Sequence, residues 1–224
     1  MTDAESATWY SNVVPASTES TAVILRDLGI IEDFYLAGGT GLALQYGHRL
    51  SRDLDFFSQH HFDEEILLQK LQSARDFSLL SRAPHTLHAT LGETKVSFLG
   101  YEYPVLFPFG QFLGLAIADV RDIACMKISA VAGRGTKRDF VDLYFCARQL
   151  GLTELLSLFE QKYAQVHYSK THILKSLVFF ADAEKDPMPL MLEPVAWDEI
   201  KQYFLGEVPR ILRLSNPHEP LSLR

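Results

Sequence analysis

Hydrophobic positions change their spacing once along this chain. Up to about residue 118, short apolar runs of strand length alternate with helical stretches; beyond it only helical periodicity remains. The first part predicts a short helix over Thr21–Leu28, a strand over Asp33–Ala37 and a helix over Leu42–Tyr46 that stops near Gly47. A strand over Asp53–Ser58 and an amphipathic helix over Glu64–Leu71, capped by Asp63, come next. Three β-type runs follow, Phe77–Ser81, Leu87–Leu91 and Thr94–Leu99, with Gly92-Glu93 marking a hairpin between the last two. An aromatic and proline-rich stretch, 101–112, leads into helical patterns at 119–132, 137–150, 152–165 and 171–182. A linker at 186–194 precedes a last helix over about 196–205. Residues 1–18 read as a loose polar arm and 215–224 as an aperiodic tail. The expectation is an α+β protein: a mixed α/β core over 1–118, then a helical region over 119–224.

Composition narrows the class. The 224 residues, 47% hydrophobic and 22% charged, match a soluble globular chain rather than a disordered or fibrous one. The most apolar stretch, Val105–Ala118, is interrupted by Pro108, Gly110, Gln111 and Gly114 and falls short of the ~20 residues a membrane span needs. The first residues carry no basic region and no apolar signal core, so a cytoplasmic location is expected. Two cysteines, Cys125 and Cys146, both in apolar helical segments, read as buried thiols of a reducing compartment. With 21 basic and 28 acidic residues the net charge is −7, which disfavours bulk DNA binding. A local basic site remains open, because Arg121, Lys127, Arg134, Lys137, Arg138 and Arg148 cluster between 121 and 148.

The first candidate site is a glycine turn followed by paired carboxylates. Gly38-Gly39 closes a strand and opens a helix, where bare N–H groups and the helix dipole favour a phosphate. Thr40 adds a hydroxyl able to cap the helix or bond a ligand. Asp53-Leu54-Asp55 follows in a strand, so both carboxylates share one face about 6–7 Å apart while Leu54 and Phe56 point inward. Such a pair can hold Mg²⁺ against a triphosphate. Taken singly, a Gly-Gly turn can be only a turn, and Asp-x-Asp only a solvated face. Gly39-x-Gly41-x-x-Leu44 lacks the third glycine of a dinucleotide fingerprint.

Lys127 forms the second. It lies on the apolar side of its helix, flanked by Val120, Ile123, Ala124, Ala130 and Val131, so its ammonium must either snorkel out or meet an anion. The third is the segment Arg134–Asp142. Thr136 with Asp139 three residues on has the form of a capping box, yet Asp139 shares a stripe with Leu143, Cys146 and Leu150, an inward position from which it could orient Lys127. His60-His61 and His85-x-x-His88 do not have the spacing of a zinc site on these elements.

Together the segments resemble the nucleotidyltransferase family named after the AbiEii toxins of bacterial abortive-infection and type IV toxin–antitoxin systems. The resemblance is carried by Leu36–Leu44, His48–Phe57, Lys127–Arg134 and Arg138–Tyr144. It implies a DNA-polymerase-β-like nucleotidyltransferase core with a mixed β-sheet and an appended helical part that completes the cleft. It further implies that Asp53 and Asp55 bind Mg²⁺ (or Mn²⁺), that Gly38, Gly39 and Thr40 cradle the triphosphate, and that Arg49 and Ser51 line the same pocket. Lys127 would hold phosphate charge, with Asp139 and Asp142 orienting it or joining the site. The implied reaction moves an NMP from an NTP to a hydroxyl on RNA, such as tRNA, or on protein, with an antitoxin protein as partner.

One position departs from the pattern. Many enzymes of that fold carry a third carboxylate on a neighbouring strand, and here Ser97 stands at that place. Glu93 shares the face of Ser97 but lies about 13 Å along the strand. The sequence therefore leaves an alternative, a nucleotide-binding regulator without turnover. A module whose acidic surface only docks a basic partner is a third reading.

Overall fold

The computed structural model describes residues 8–215. They form two compact units whose boundary in sequence lies between Ile123 and Ala124, inside a helix.

The first unit is built on a mixed seven-stranded sheet. Its strands are β1 (Tyr35–Leu36), β2 (Leu54–Ser58), β3 (Phe77–Ala83), β4 (Thr86–Leu91), β5 (Thr94–Gly100), β6 (Gly110–Phe112) and β7 (Leu115–Ile117), in the order β3-β4-β5-β2-β1-β7-β6. β2 pairs in parallel with β5, and β1 with β7, while the remaining pairs are antiparallel. Burial alternates along β4 and β5, so one sheet face is packed and the other is open and polar. On the packed face Leu54, Phe56, Leu87, Ala89, Val96 and Phe98 join one core with residues of α1 (Ala16–Asp27), α2 (Gly38–Tyr46) and α3 (Glu64–Leu71). Asp63 caps α3 as the sequence predicts, accepting from the N–H groups of Glu65 and Ile66.

Differences from the sequence reading have local causes. The hairpin β6–β7 begins at the end of the aromatic and proline-rich stretch 101–112 and continues where no element is expected; its two-residue loop, Leu113-Gly114, holds both residues at positive φ. A leucine in the left-handed region gives no turn signal, which hid the hairpin. α1 starts at Ala16, ahead of the expected Thr21 and inside the stretch read as a loose arm. β1 is only two residues long because a turn over 31–33 precedes it and the chain enters α2 at Gly38 rather than Leu42. Asp53 stands one residue before β2, not within it.

The second unit contains most of α4 (Val120–Gly133), with α5 (Lys137–Leu150), α6 (Leu152–Lys162), α7 (Lys170–Ser176) and α8 (Trp197–Ser215). α7 ends six residues before the expected 182, and a short 3-10 turn, Ala183–Lys185, follows. α8 runs beyond the expected 205 and through Pro209. Ile200, Phe204, Val208 and Ile211 keep one side of it buried, while Leu205, whose carbonyl loses its helical donor to the proline, sits on the solvent side. Of the tail read as aperiodic only Ser215 is described, and of the arm residues 1–7 are outside the description. Among the described residues no helix is long and apolar enough to cross a membrane.

Candidate nucleotide and metal site

β1 delivers the chain to the N-terminus of α2. Gly38 makes the turn at φ +61°, a conformation costly for any residue with a Cβ. Ala37 occupies the cap position and offers no side-chain acceptor, so the first N–H groups of α2 receive no side-chain cap. Gly41 N–H is the first to bond back along the chain, to the Ala37 carbonyl at 3.0 Å. A bare helix start of this kind suits an anion.

Two charged side chains converge on it. A Cβ on Gly38 would sit 2.9 Å from Asp55 Oδ2, and a Cβ on Gly39 would overlap Arg49 Nη2. Gly38 is needed for the turn, and at either glycine a side chain would displace the charged group beside it, a carboxylate at Gly38 and a guanidinium at Gly39. Arg49 is buried and donates from Nη1 to the Leu50 carbonyl at 3.0 Å, which fixes its direction. The Ala37 N–H donates to the Asp55 carbonyl at 3.1 Å and ties the carboxylate strand to the glycine turn.

Thr40 is placed differently from a ligand-facing hydroxyl. It is buried, shares a 2.8 Å hydrogen bond with Ser51 Oγ, and donates to the carbonyl of Asp53. Thr40 and Ser51 thus pin the backbone of the first carboxylate to α2. Asp53 and Asp55 are both half-buried, and the intervening Leu54 faces the core. Among the described residues no group of three or more His, Cys, Asp or Glu side chains is arranged to hold a metal. Two hard oxygen donors beside a phosphate site nevertheless fit Mg²⁺, which usually completes its shell with waters and substrate phosphates.

Ser97 lies directly across from Asp55 in the parallel β2–β5 pair. This is the position at which the resemblance implies a third acid. Sequence reasoning passed over the next residue in the same row, His88, which is paired with Ser97 across β4–β5. The signal was present: Gly92-Glu93 as a two-residue hairpin loop sets Leu91 against Thr94 and hence His88 against Ser97. His85 is elsewhere, beside His61 with their Nδ1 atoms 3.2 Å apart.

In the second unit Lys127 does not snorkel. Its ammonium is buried between Asp139 Oδ1 at 3.0 Å and Asp142 Oδ2 at 2.7 Å. Arg134 grips Asp139 with two bonds, Nε–Oδ2 at 2.8 Å and Nη2–Oδ1 at 3.0 Å. Thr136 is the N-cap of α5, accepting from Asp139 N–H at 3.4 Å, and its hydroxyl also donates to Asp139 Oδ2 at 2.6 Å. Asp139 thus serves the cap and the lysine together. Burial acts to raise its pKa, but the Lys127 charge, the Arg134 bonds and charge and the Thr136 hydroxyl outweigh it and hold the carboxyl well below the usual range. Burial, followed by the Asp142 charge, pushes the Cys146 thiol well up. Neither Cys125 nor Cys146 is in a disulfide.

A bare helix start flanked by an arginine and an Asp-x-Asp pair is the candidate site of the first unit. The family model of the nucleotidyltransferase AbiEii toxin, type IV toxin–antitoxin system, matches residues 24–104 and 99–218, and the chain belongs to that family. A relative, the uncharacterized protein aq_aa25 of Aquifex aeolicus (strain VF5), is 41% identical over 191 residues, covering 83% of this chain and 91% of its own. The crystal structure of JHP933 from Helicobacter pylori aligns with a TM-score of 0.51 at 18% identity, covering 93% of this chain and 98% of the other. A second H. pylori structure aligns equally well, at 17% identity over 92% and 100% of the two chains. These likenesses establish a shared fold.

Proposed function

We propose that this protein transfers an NMP from an NTP to a hydroxyl of an acceptor, RNA such as tRNA or protein, as the toxin of a two-component module with an antitoxin protein as partner. The observation that carries the reading is the convergence of Arg49 and Asp55 on the two glycines that open α2. Gly38 and Gly39 would receive phosphate oxygens on their N–H groups, with Arg49 supplying charge. Asp53 and Asp55 would hold Mg²⁺ (or Mn²⁺), whose chemistry is to neutralise the charge of the triphosphate and the leaving pyrophosphate. Thr40 and Ser51 act through the Asp53 backbone they anchor. Within the second unit, Asp139 and Asp142 are the groups that hold the Lys127 ammonium. The acceptor oxygen attacks the α-phosphorus and pyrophosphate leaves.

A second reading is favoured by Ser97 opposite Asp55: the site binds nucleotide and regulates without turnover. One experiment separates the two. Each NTP, labelled at the α-phosphate, is incubated with the protein, Mg²⁺ or Mn²⁺, and bacterial RNA or protein, with Asp53→Asn and Asp55→Asn beside the wild type. Label that reaches an acceptor and vanishes in both variants supports transfer. Nucleotide binding with no label in any acceptor supports the regulator and refutes the transferase.

A further inference from the structure

The register of the sheet sets four residues in one cross-strand row: Asp55 on β2, Ser97 on β5, His88 on β4 and Ser81 on β3. Directly paired residues present their side chains to the same face, with Cβ atoms about 5 Å apart. The neighbours Leu54 and Phe56, Val96 and Phe98, and Leu87 and Ala89 are all buried on the opposite face. Asp55, Ser97 and His88 therefore share the open polar face, and His88 makes no contribution to the packed core. With strands about 4.8 Å apart, His88 stands roughly 10 Å from Asp55 at the Cα level, separated by the smallest hydroxyl side chain. The imidazole is half-buried, and among the described residues no hydrogen bond or ion pair engages its ring.

We propose that His88 is the general base of the transfer reaction, taking the proton of the acceptor hydroxyl from a site over Ser97. This rests on the transferase reading above. The resemblance places a third acid at Ser97, and a hydroxyl cannot take that role; imidazole accepts a proton readily near neutral pH. Ser97 leaves open the space that a longer acid would fill, so the acceptor oxygen can sit over β5, between Asp55 on β2 and the imidazole on β4. In the step, the acceptor O–H proton passes to a nitrogen of His88 as the bond from oxygen to the α-phosphorus forms. The bond from the α-phosphorus to the bridging oxygen breaks, and its electron pair leaves with pyrophosphate. His88 touches the acceptor only, so it is distinct from the groups that hold nucleotide and metal.

The test is His88→Ala, assayed for transfer and for NTP affinity by calorimetry, with imidazole then added to the transfer assay. Removal of a general base lowers turnover by about 10²–10⁴-fold, here with NTP affinity within about threefold of wild type. Added imidazole should restore part of the lost rate in His88→Ala and leave the wild type unchanged, which a purely structural histidine would not show. Transfer within about threefold of wild type, loss of NTP affinity along with transfer, or no response to imidazole would each overturn the proposal. A wild type that binds NTP but labels nothing fails the transferase reading and this one with it. An active wild type with an unaffected His88→Ala fails this one alone.

Discussion

Replacing Lys127 by methionine tests whether the buried cluster of the second unit is held by charge balance. The lysine is 6% exposed, and Asp139 and Asp142 are 1% and 0% exposed, so none of the three can exchange its partner for bulk water. Removing one member of a buried ion pair costs about 3–5 kcal/mol, because the opposite charge stays behind. Arg134 continues to hold Asp139 through two bonds, and the loss falls chiefly on Asp142, which gives up its 2.7 Å cation. The lower end, about 3 kcal/mol, is therefore expected, or roughly 6–12 °C in Tm for a chain of this length. The pH dependence supplies a second signature. In the wild type Asp139 has a depressed pKa, so its contribution is complete above the unfolded value of about 4 and is lost only as pH falls toward the folded one. Without Lys127 the fully buried Asp142 loses its 2.7 Å cation and burial favours its neutral form, so lowering the pH from about 7 to about 5 relaxes the penalty. Urea unfolding of both proteins at the two pH values measures this. A difference below about 1 kcal/mol at neutral pH, or one that is the same at both pH values, would refute the reasoning.

Two substitutions probe the glycine turn and its support. Gly39→Ala places a methyl where Arg49 Nη2 lies, so the guanidinium must move; NTP affinity should fall at least about tenfold, with the melting temperature shifted far less than in Lys127→Met. Unchanged affinity by calorimetry would separate Arg49 from the nucleotide. Thr40→Val keeps the volume but removes the hydroxyl that anchors Asp53, leaving a part-buried carbonyl short of a donor; a loss of about 1 kcal/mol in thermal unfolding is expected, with weaker metal-dependent nucleotide binding. Normal stability would show that the anchoring bond is dispensable.

The elements most legible in the sequence are those whose local rules and packing agree. Asp63 before an acidic first turn gives α3 to the residue, and the glycine-centred hairpin gives β4 and β5 with their register. What escaped reading is set by tertiary contacts. β7 is only three residues long and owes its place to pairing with Leu36, and Gly110 in β6 is required because a Cβ there would meet Trp9 at 2.8 Å. α8 passes Pro209 because the core holds its apolar stripe. At the site, the residue types were readable while their directions were not. Thr40 turns inward to the Asp53 carbonyl, and whether Lys127 snorkels or pairs depended on Asp142, three residues after Asp139 and therefore on the same side of α5.

The composition of the carboxylate site has a thermodynamic consequence. Asp53 and Asp55 supply two oxygen-donor side chains, whereas Mg²⁺ takes about six ligands in near-octahedral geometry and gives up its waters reluctantly. On the proposed reading the protein alone would hold the ion weakly, and triphosphate oxygens received at Gly38, Gly39 and Arg49 would supply further ligands. Metal and nucleotide must therefore strengthen one another by the same factor, since coupling between two equilibria is reciprocal. Titration of Mg²⁺ with and without a non-hydrolysable NTP, corrected for the metal–nucleotide complex formed in solution, should show at least about tenfold tighter binding with nucleotide present. Asp55→Asn should abolish the coupling while metal-free nucleotide binding persists, because the N–H groups of α2 and Arg49 remain. Equal Mg²⁺ affinity in the two titrations would mean that the metal is held by protein ligands alone, and the two-carboxylate site would be wrong.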